Sequence, residues 1–380
     1  MNDALWGGSE ELWGQTALRL KKESHEVLVF LAHWKRESPR FAALAKAGIE
    51  LEALSARNVG RARRVWNKIA KGDSRDYKRL KQFNPHLLVI SQGHNSGGFD
   101  WAKTSAAMSV PYALIVQCNG DNWWFGEQLG DAIESYSGAR RVFCVSHANL
   151  DLLRMQVGEP LLNAEVVQNP FNVPNEPAPA WPDKRGTIRM AVMARLHIPS
   201  KGQDLLLQAI ARPEWKGRPV ELNLYGAGPD EDSLRRMVKK LELENVNFCG
   251  HVNDIRSVWE HNHILVLPSR YEGLPLALVE AMWCGRPAVL TDVGGNAELC
   301  VHGETGFVAP SPTLSSFADT LQQAWAQHEE WEQMGRAARA RVEKVYPRDP
   351  IGLFCERLKN CAVGESEAPV VGPFTAESQL

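Results

Sequence analysis

Short apolar runs alternate with helix-compatible stretches along the whole chain. This alternation is typical of α/β proteins with parallel sheets, in which each buried strand leads into a helix that covers the sheet. The first half contains five candidate strands, at 27–31, 87–91, 112–116, 142–146 and 165–167. The second half contains five more, at 188–193, 220–225, 246–249, 264–267 and 287–291. The pattern predicts two α/β halves of similar build.

A proline-rich segment separates the two halves. Residues 173–186 contain four prolines among polar residues, which is typical of a linker. We therefore expect an N-terminal domain over 1–172 and a C-terminal domain over 187–345. A helical segment is predicted to follow at 346–363. The polar, aperiodic end, 364–380, is predicted to be disordered.

The N-terminal half lacks one expected feature. A doubly wound domain ordinarily opens with a buried strand before its first glycine loop. Here Gly7 and Gly8 come almost at once, and residues 1–6 are too short and polar to supply that strand. Two interpretations stay open: the first strand is absent, or the chain starts inside the natural domain.

Composition narrows the classes of function. With 380 residues, 44% hydrophobic and 23% charged, the chain is of the size and make-up of a two-domain globular enzyme. A net charge of -2 gives no global basic field for nucleic acid. No apolar run approaches the ~20 residues of a membrane span, and no signal-peptide pattern opens the chain. The seven cysteines include no CxxC pair, which argues against a disulfide framework or a zinc site and favours a reducing, cytoplasmic setting.

The most informative stretch runs from residue 268 to residue 299. Pro268 ends a strand, a loop follows, and a helix starts at Pro275 and stops before Gly285. The loop and the helix N-terminus offer backbone N–H groups and a positive dipole end, which suit a phosphate. Glu272 on the loop and Glu280 in the second helical turn can both reach a ligand lying across that N-terminus. The alternative is that both are surface carboxylates of an ordinary helix.

This stretch resembles the signature of the retaining glycosyltransferases known as glycosyl transferases group 1, of the family four type, whose members include sucrose synthase. The resemblance implies the GT-B fold, two Rossmann-like domains with parallel sheets facing a cleft. In that family an E-x7-E element binds a nucleotide-sugar donor. By similarity, Glu272 would contact the sugar near the reacting carbon and Glu280 the ribose hydroxyls. The backbone of Gly273 and Leu274 would face the sugar and the diphosphate.

A second element lies upstream, at 190–210. It reads as a strand, a loop with Arg195 and Lys201, and a helix. A guanidinium fork and a lysine point charge suit a diphosphate, although a solvated loop is the alternative. The stretch resembles the GRLxxxKGxxxLLxA element of the same family, with Ala194 in place of the usual glycine. The resemblance implies that Arg195 and Lys201 hold the diphosphate and stabilise the leaving group.

Two further donor-side segments follow from the resemblance. The loop with Gly226 and Gly228 comes after a strand, as in the family, although a lone Gly-x-Gly is weak on its own. The segment with Gly250, His251 and Val252 resembles the part of the family that lies against the nucleotide base through its main chain.

Asp230 and Asp232 form a DxD pattern, which in another glycosyltransferase fold binds a metal. Here the pair opens a helix after Pro229, where acids favour the helix dipole. We therefore predict no metal and no cofactor, the nucleotide-sugar being a substrate.

The N-terminal half offers weaker candidates. Gly8, ahead of an amphipathic helix at 12–20, resembles the first glycine loop of the family, where it would approach the donor phosphates; a glycine-started helix is the alternative. Many members carry a functional histidine after the strand 112–116, where this chain has Gln117. His94 or Asp121 is a candidate for that acceptor-side role, and an isolated histidine can equally be structural.

Two other features of this half stay open. Trp123 and Trp124 could stack on a sugar ring or belong to the core. Residues 57–81 hold ten Lys or Arg and two Asp, so a helix there would present a cationic face. That face is either solvated surface or a peripheral contact with an anionic membrane or a lipid-linked acceptor.

The sequence thus predicts a metal-independent, retaining hexosyltransferase of the cytoplasm or the inner membrane face. Its acceptor would be a glycan or a lipid-linked sugar of the kind used in polysaccharide synthesis, with no nucleic-acid partner. Two rivals stay open: an epimerase or phosphorylase on the same fold, and a non-catalytic scaffold protein.

Overall fold

The computed structural model describes residues 6–31, 39–54, 75–174, 176–183 and 186–364. These form two compact units. The first contains the chain up to Pro170 and again from Asp349 onward, and the second contains Phe171–Arg348. Most of the basic stretch 57–81, through residue 74, and the tail beyond residue 364 lie outside the described residues, so the predictions made for them stay predictions. Within the described ranges no helix is both long and apolar enough to cross a membrane.

The first unit alternates helices and strands. Its helices are α1 (Gly8–Lys22), α2 (Pro39–Lys46), α3 (Arg75–Phe83), α4 (Phe99–Ala107), α5 (Leu129–Ser137), α6 (His147–Val157) and, after the second unit, α15 (Pro350–Val363). Its strands are β1 (Leu28–Leu31), β2 (Glu50–Ala53), β3 (Leu88–Gln92), β4 (Tyr112–Val116), β5 (Arg141–Cys144) and β6 (Ala164–Val166).

All strand pairs of the first unit are parallel. Among the described residues, β1 and β2 form a two-stranded sheet, and β3, β4, β5 and β6 form a four-stranded sheet in that order. Strand β4 is buried along its whole length, because helices cover both faces of the sheet.

The last described helix, α15, belongs to the first unit although it follows the second unit in the chain. Phe354 is 1% exposed and meets Phe143 of β5 edge-on, with ring centroids 5.0 Å apart. Leu12 of α1 packs into the same cluster. Asp349 caps the helix by accepting the backbone N–H of Gly352 at 2.8 Å. The segment that the sequence set apart as 346–363 therefore covers one face of the four-stranded sheet.

The second unit also alternates strands and helices. Its strands are β7 (Ile188–Met193), β8 (Val220–Tyr225), β9 (Val246–Gly250), β10 (Ile264–Leu267), β11 (Ala288–Thr291) and β12 (Gly306–Ala309). Its helices are α7 (Ile198–Lys201), α8 (Gln203–Ile210), α9 (Glu231–Lys240), α10 (Ile255–His261), α11 (Leu276–Trp283), α12 (Asn296–Leu299), α13 (Leu314–Ala326) and α14 (Trp331–Val345).

In the described part of this unit, the six strands form one parallel sheet in the order β12-β11-β10-β7-β8-β9. Strand β10 is a continuous apolar run, and every one of its residues is buried. Such runs are expected where helices pack on both faces of a parallel sheet. The helices that follow β10 and β11 pack beside them, and Gly285 ends α11 with a left-handed φ of 70°.

A buried arginine fastens the linker to the second unit. Arg286 is 1% exposed, and its guanidinium donates to the backbone carbonyls of Ala180 (2.8 Å) and Asn262 (3.0 Å). It also lies over the ring of Trp181, 5.0 Å from the centroid. These contacts hold the linker segment around residue 180 against this unit, to which it belongs.

Two strands, β2 and β12, were not predicted from the sequence. Strand β2 has the sequence ELEA, and its acids pair with Arg75 and Arg79 of α3, the Arg75–Glu52 contact measuring 2.9 Å. Strand β12 begins with Gly306. Strand β2 lacks the apolar run that revealed the other strands, whereas β12 is a short apolar run, GFVA, that the prediction did not include. Most bounds of the predicted strands agree with the structure to within about two residues.

Candidate functional site

The six-stranded sheet has a topological switch point beside β7. From β7 the chain proceeds to β8 and β9 on one side, and then to β10, β11 and β12 on the other. Open α/β sheets bind ligands in the crevice at the carboxyl ends of the strands at such a point. The segments after β7 and β10 flank it, and they carry Arg195, Lys201 and Glu272.

Lys201 and Glu272 meet at this point. Lys201 Nζ lies 2.6 Å from Glu272 Oε1, although the two residues are 71 positions apart in the chain. Ser269 Oγ donates to the same carboxylate oxygen at 2.7 Å. Glu272 is 6% exposed, so its charge needs these partners. The predicted phosphate-binding cation and the predicted sugar-binding carboxylate therefore share one site.

Arg195 lies in the loop after β7, and Lys201 ends the short helix α7 that follows this loop. Burial lowers the pKa of His197, and the charges of Arg195 and Lys201 lower it further against the opposing effect of Asp230. The charges of both cations therefore reach the same imidazole. A diphosphate is the kind of ligand that such a loop attracts.

Glycines allow the neighbouring loops to approach this one. A Cβ on Gly226 would lie 2.1 Å from the carbonyl oxygen of Ala194, and one on Gly228 would lie 2.2 Å from that of Leu196. The Leu196 N–H donates to the carbonyl of Ala227 at 3.2 Å, which ties the two loops together. The Gly-x-Gly loop predicted from the sequence therefore lies directly against the cationic loop.

The loop after β10 is closed by a second glycine contact. The N–H of Gly295 donates to the carbonyl of Gly273 at 2.7 Å. Gly294 has a left-handed φ of 53°, and a Cβ there would lie 2.3 Å from the carbonyl oxygen of Glu272. Leu274 is 8% exposed and ends the loop ahead of α11. The backbone of residues 272–274 is thereby fixed beside the N-terminus of α11, whose first N–H groups have no acceptor within the helix.

Glu280 lies within α11 and is 5% exposed. Its Oε1 accepts the backbone N–H of Asn172 at 3.1 Å. The sequence assigned Glu280 to ribose hydroxyls by similarity, and that assignment stays a prediction. The structure adds the hydrogen bond to the Asn172 backbone, which no local pattern in the sequence predicts.

Gly250 ends β9, and His251 and Val252 follow it at the same edge of the sheet. The N–H of Gly226 donates to the carbonyl of Gly250 at 2.7 Å, which joins this segment to the Gly-x-Gly loop. Gly250 has a φ of 71° with open space at its Cβ position, and His251 is exposed. The segment predicted to lie against the nucleotide base is therefore contiguous with the loops described above.

The sequence did not predict the ion pair that joins the segments after β7 and β10, here called the brace. Arg270 forms a bidentate pair with Asp204 at 2.8 Å for each bond, and its guanidinium also donates to the carbonyl of Ile198 at 2.8 Å. Two parallel charge-assisted bonds fix both position and orientation. The partners are 66 positions apart, so no local pattern links them.

The DxD pattern has a structural use in the described residues. Asp230 Oδ2 accepts the backbone N–H of Ile198 at 2.7 Å, and Asp232 lies in the first turn of α9. Among the residues the structure describes, no cluster of three or more His, Cys, Asp or Glu side chains is arranged to hold a metal ion.

The remaining predicted residues belong to the first unit. Gly8 is the first residue of α1, where the N–H of Gly7 donates to Glu10 at 2.9 Å in a capping interaction. His94 follows β3, its Nδ1 lies 2.9 Å from Ser96 Oγ, and its ring meets Trp123. Burial lowers the pKa of His94, which favours the neutral ring. Gln117 is buried after β4 and accepts from Asn169 at 2.9 Å.

Comparisons with known proteins agree with this geometry. Residues 180–341 match the family model described as Glycosyl transferases group 1. D-rhamnosyltransferase WbpZ of Pseudomonas aeruginosa is 31% identical over 151 residues, which are 38% of this chain and 38% of that protein. The phosphatidylinositol N-acetylglucosaminyltransferase gpi3 subunit of Schizosaccharomyces pombe is 31% identical over 275 residues, 67% of this chain and 60% of that protein. The matches thus span less than two thirds of both relatives.

The fold has close counterparts among solved structures. Anabaena Alr3699/HepE, in complex with UDP, superimposes with a TM-score of 0.71 over 95% of this chain and 98% of its own, at 18% identity. At that identity the likeness concerns the fold, which is α/β of the GT-B type with parallel sheets. Over residues 180–341, the chain is similar to the glycosyl transferases group 1 family.

Proposed function

We propose that this chain transfers a sugar from a nucleoside-diphosphate donor to an acceptor hydroxyl, with retention of configuration at the anomeric carbon. One observation carries the proposal: Lys201 and Glu272 meet, 2.6 Å apart, at the switch point of a parallel sheet. A cation there suits a diphosphate, and a carboxylate suits sugar hydroxyls. The UDP held by the Anabaena relative supports a nucleoside diphosphate as the leaving group.

In the proposed reaction, the acceptor oxygen bonds to the anomeric carbon on the face from which the diphosphate leaves. The bond between that carbon and the phosphate oxygen breaks, and the acceptor proton passes to the departing phosphate. Arg195 and Lys201 stabilise the negative charge that develops on the diphosphate. Glu272, held by Ser269, orients the sugar. In this mechanism the protein cations supply the charge that a metal ion supplies in other transferases, so we propose that no metal is needed.

The remaining donor contacts are proposed for main-chain groups. Gly273 and Leu274 face the sugar and the diphosphate, Gly226 and Gly228 line the phosphate loop, and residues 250–252 lie against the base. Glu280 binds the ribose hydroxyls. To do so, its carboxylate gives up the hydrogen bond from the Asn172 backbone N–H.

We further propose that the acceptor is a glycan or a lipid-linked molecule. The Schizosaccharomyces pombe relative is named as a subunit of a phosphatidylinositol N-acetylglucosaminyltransferase, and this name supports the lipid-linked class. All seven cysteines lie in the described part of the chain as free thiols, which supports a reducing, cytoplasmic setting.

The donor site can be tested by thermal shift with a panel of UDP-, GDP- and ADP-sugars in EDTA. A bound donor raises the melting temperature through linkage. We expect one nucleotide class to stabilise the wild type, and Lys201→Ala to abolish that shift. Lys201→Ala should also lower the transfer rate by roughly 10²–10³-fold, the usual loss for one transition-state contact.

Lys240→Ala is the matched control, because Lys240 is an exposed lysine at the end of α9 in the same unit. It should keep both the shift and the rate. Absence of stabilisation by every donor in the wild type would refute the donor site. A shift that appears only after a divalent metal is added would refute its metal independence.

A further inference from the structure

The loop after β4 exposes an aromatic ring that no packing explains. Trp124 is 63% exposed and is the only exposed aromatic side chain in the described residues. Its neighbour Phe125 is 6% exposed and packs against Phe99 and Tyr136 in the core. Leaving a large indole in water forgoes burial worth ~2–3 kcal/mol, so its exposure here calls for a reason.

Buried amides hold this loop in place. Gln156 Nε2 donates to the carbonyl of Gly120 at 2.8 Å, and Asn95 Nδ2 donates to the carbonyl of Trp123 at 3.3 Å. Asn119 Nδ2 donates to the carbonyl of Asn149 at 2.8 Å. The three amide residues are 0–3% exposed. These amides anchor the chain before Trp124, and the buried Phe125 anchors it directly after, so the exposure of the ring follows from a fixed loop.

The ring itself is oriented. Trp124 Nε1 donates to the carbonyl of Asp121 at 2.7 Å, which fixes the polar edge of the indole against its own loop. Its apolar faces are left to the solvent. A ring already held in one orientation loses little entropy when a ligand stacks on it.

Exposed polar residues precede and follow Trp124 in the chain. The side chains of Asp121, Asn122, Glu127 and Gln128 are exposed along the same loop and the turn that follows it. A hot spot for a protein partner is ringed by further contacts that exclude water. One flat apolar face among hydrogen-bonding side chains instead matches a sugar ring, which has an apolar C–H face and polar hydroxyls at its edge.

We propose that Trp124 is the stacking platform for a pyranose ring of the acceptor, with Asp121 and Asn122 binding its hydroxyls. The loop lies at the carboxyl end of β4, the edge at which parallel sheets bind ligands. This inference rests on the proposed glycosyl transfer, because it assigns the ligand as that reaction's acceptor. It names a carbohydrate as the acceptor class and Trp124 as a residue that determines its binding.

Saturation-transfer NMR with methyl glycosides tests the proposal on the full chain. The probes are the methyl α-pyranosides of glucose, mannose, rhamnose and N-acetylglucosamine. We expect saturation on the ring C–H protons of at least one probe. Trp124→Ala should weaken that binding roughly tenfold or more, the usual loss of one stacked ring, whereas Trp124→Phe should keep most of it.

Met155→Ala and Leu162→Ala are the controls, because both remove exposed apolar side chains of the same unit, 71% and 79% exposed. Both should bind the probes like the wild type. Equal binding by Trp124→Ala, or no saturation of any probe by the wild type, would overturn the proposal. Thermal shift by the nucleotide-sugar, measured on the same variants, reports the donor site separately. If the wild type keeps the donor shift but binds no glycoside, the proposal for Trp124 is refuted and the proposed glycosyl transfer is not.

Discussion

At the scale of single residues, the donor loops depend on glycines that bring two backbones into contact. Gly294 shows this most sharply, because its φ is left-handed and a side chain would meet the carbonyls of Glu272 and Gly273 at 2.3 and 2.6 Å. Backbone oxygen atoms cannot move aside as a flexible side chain can. The position of the Glu272 backbone therefore depends on residue 294, twenty-two positions later, having no Cβ.

Gly294→Ala should lower the free energy of unfolding by about 1–3 kcal/mol and remove the thermal shift by the donor, since the loop with Glu272 must move. Urea denaturation and the donor thermal shift measure the two effects. Gly303→Ala is the control, because Gly303 has a similar φ of 80° but open space at its Cβ position. It should show the smaller loss from backbone strain alone and bind the donor normally. Identical behaviour of the two variants would contradict this account of Gly294.

His263 gives a residue-scale prediction about pH. Its ring is 1% exposed, and its Nδ1 accepts the backbone N–H of Arg189 at 3.0 Å. Burial holds its pKa below the ordinary value of 6.5, outweighing the hydrogen bond to the Asp183 carbonyl, which raises it. Below pH 6.5, His263 therefore binds a proton in the unfolded chain but not in the folded chain.

Between pH 6.5 and the lowered pKa of His263, the free energy of unfolding should thus fall as the pH falls, by at most about 1.4 kcal/mol per pH unit from this group. His263→Asn keeps a side-chain acceptor without titrating there, so its pH dependence should be shallower. Denaturant titrations from pH 7.5 to 5.5 measure the slopes. His251→Asn, at an exposed histidine, should leave the slope as it is in the wild type. An unchanged slope in His263→Asn would show that His263 does not contribute.

At the scale of elements, the sequence predicted those strands whose apolar runs are buried on both faces. Residues 264–267 are the simplest case, since the predicted bounds and those of β10 coincide. Strand β2 escaped because its glutamates pair with arginines of a helix that follows about twenty residues later. In β2 charged residues alternate with apolar ones. The strand is stabilised by arginines of α3, which the local sequence does not contain.

The same limit applies to the candidate site. Glu272 and Lys201 could be predicted, because their family motifs are local in sequence. The Arg270–Asp204 brace and the bond from Asn172 to Glu280 could not, because each joins segments more than sixty residues apart. Only the fold brings such partners together, and the exposure of Trp124 is likewise decided by amides from other elements.

At the scale of the whole molecule, the first unit is built from two separate parts of the chain. Phe354 of α15 should contribute as much as any core residue, since it is 1% exposed against Phe143. Phe354→Ala should cost about 3–5 kcal/mol. Leu353→Ala is its neighbour control, because Leu353 is 55% exposed and its loss should change stability by less than about 0.5 kcal/mol.

Hydrogen exchange resolved by segment measures this prediction. In Phe354→Ala, protection should fall in β4, β5 and α1, where α15 packs, and stay unchanged in β7–β12. Equal loss of protection in the second unit, or none in the first, would contradict the assignment of α15 to the first unit.

The divided first unit also sets an order of events during synthesis. The second unit is continuous, so it can fold as soon as its own residues leave the ribosome. The face of the first unit around Phe143 waits for α15, which follows roughly 200 residues later, or roughly 10–40 s at ~5–20 residues per second. During that interval an apolar surface stays open on the nascent chain, and this face is where a chaperone would bind before the protein is complete.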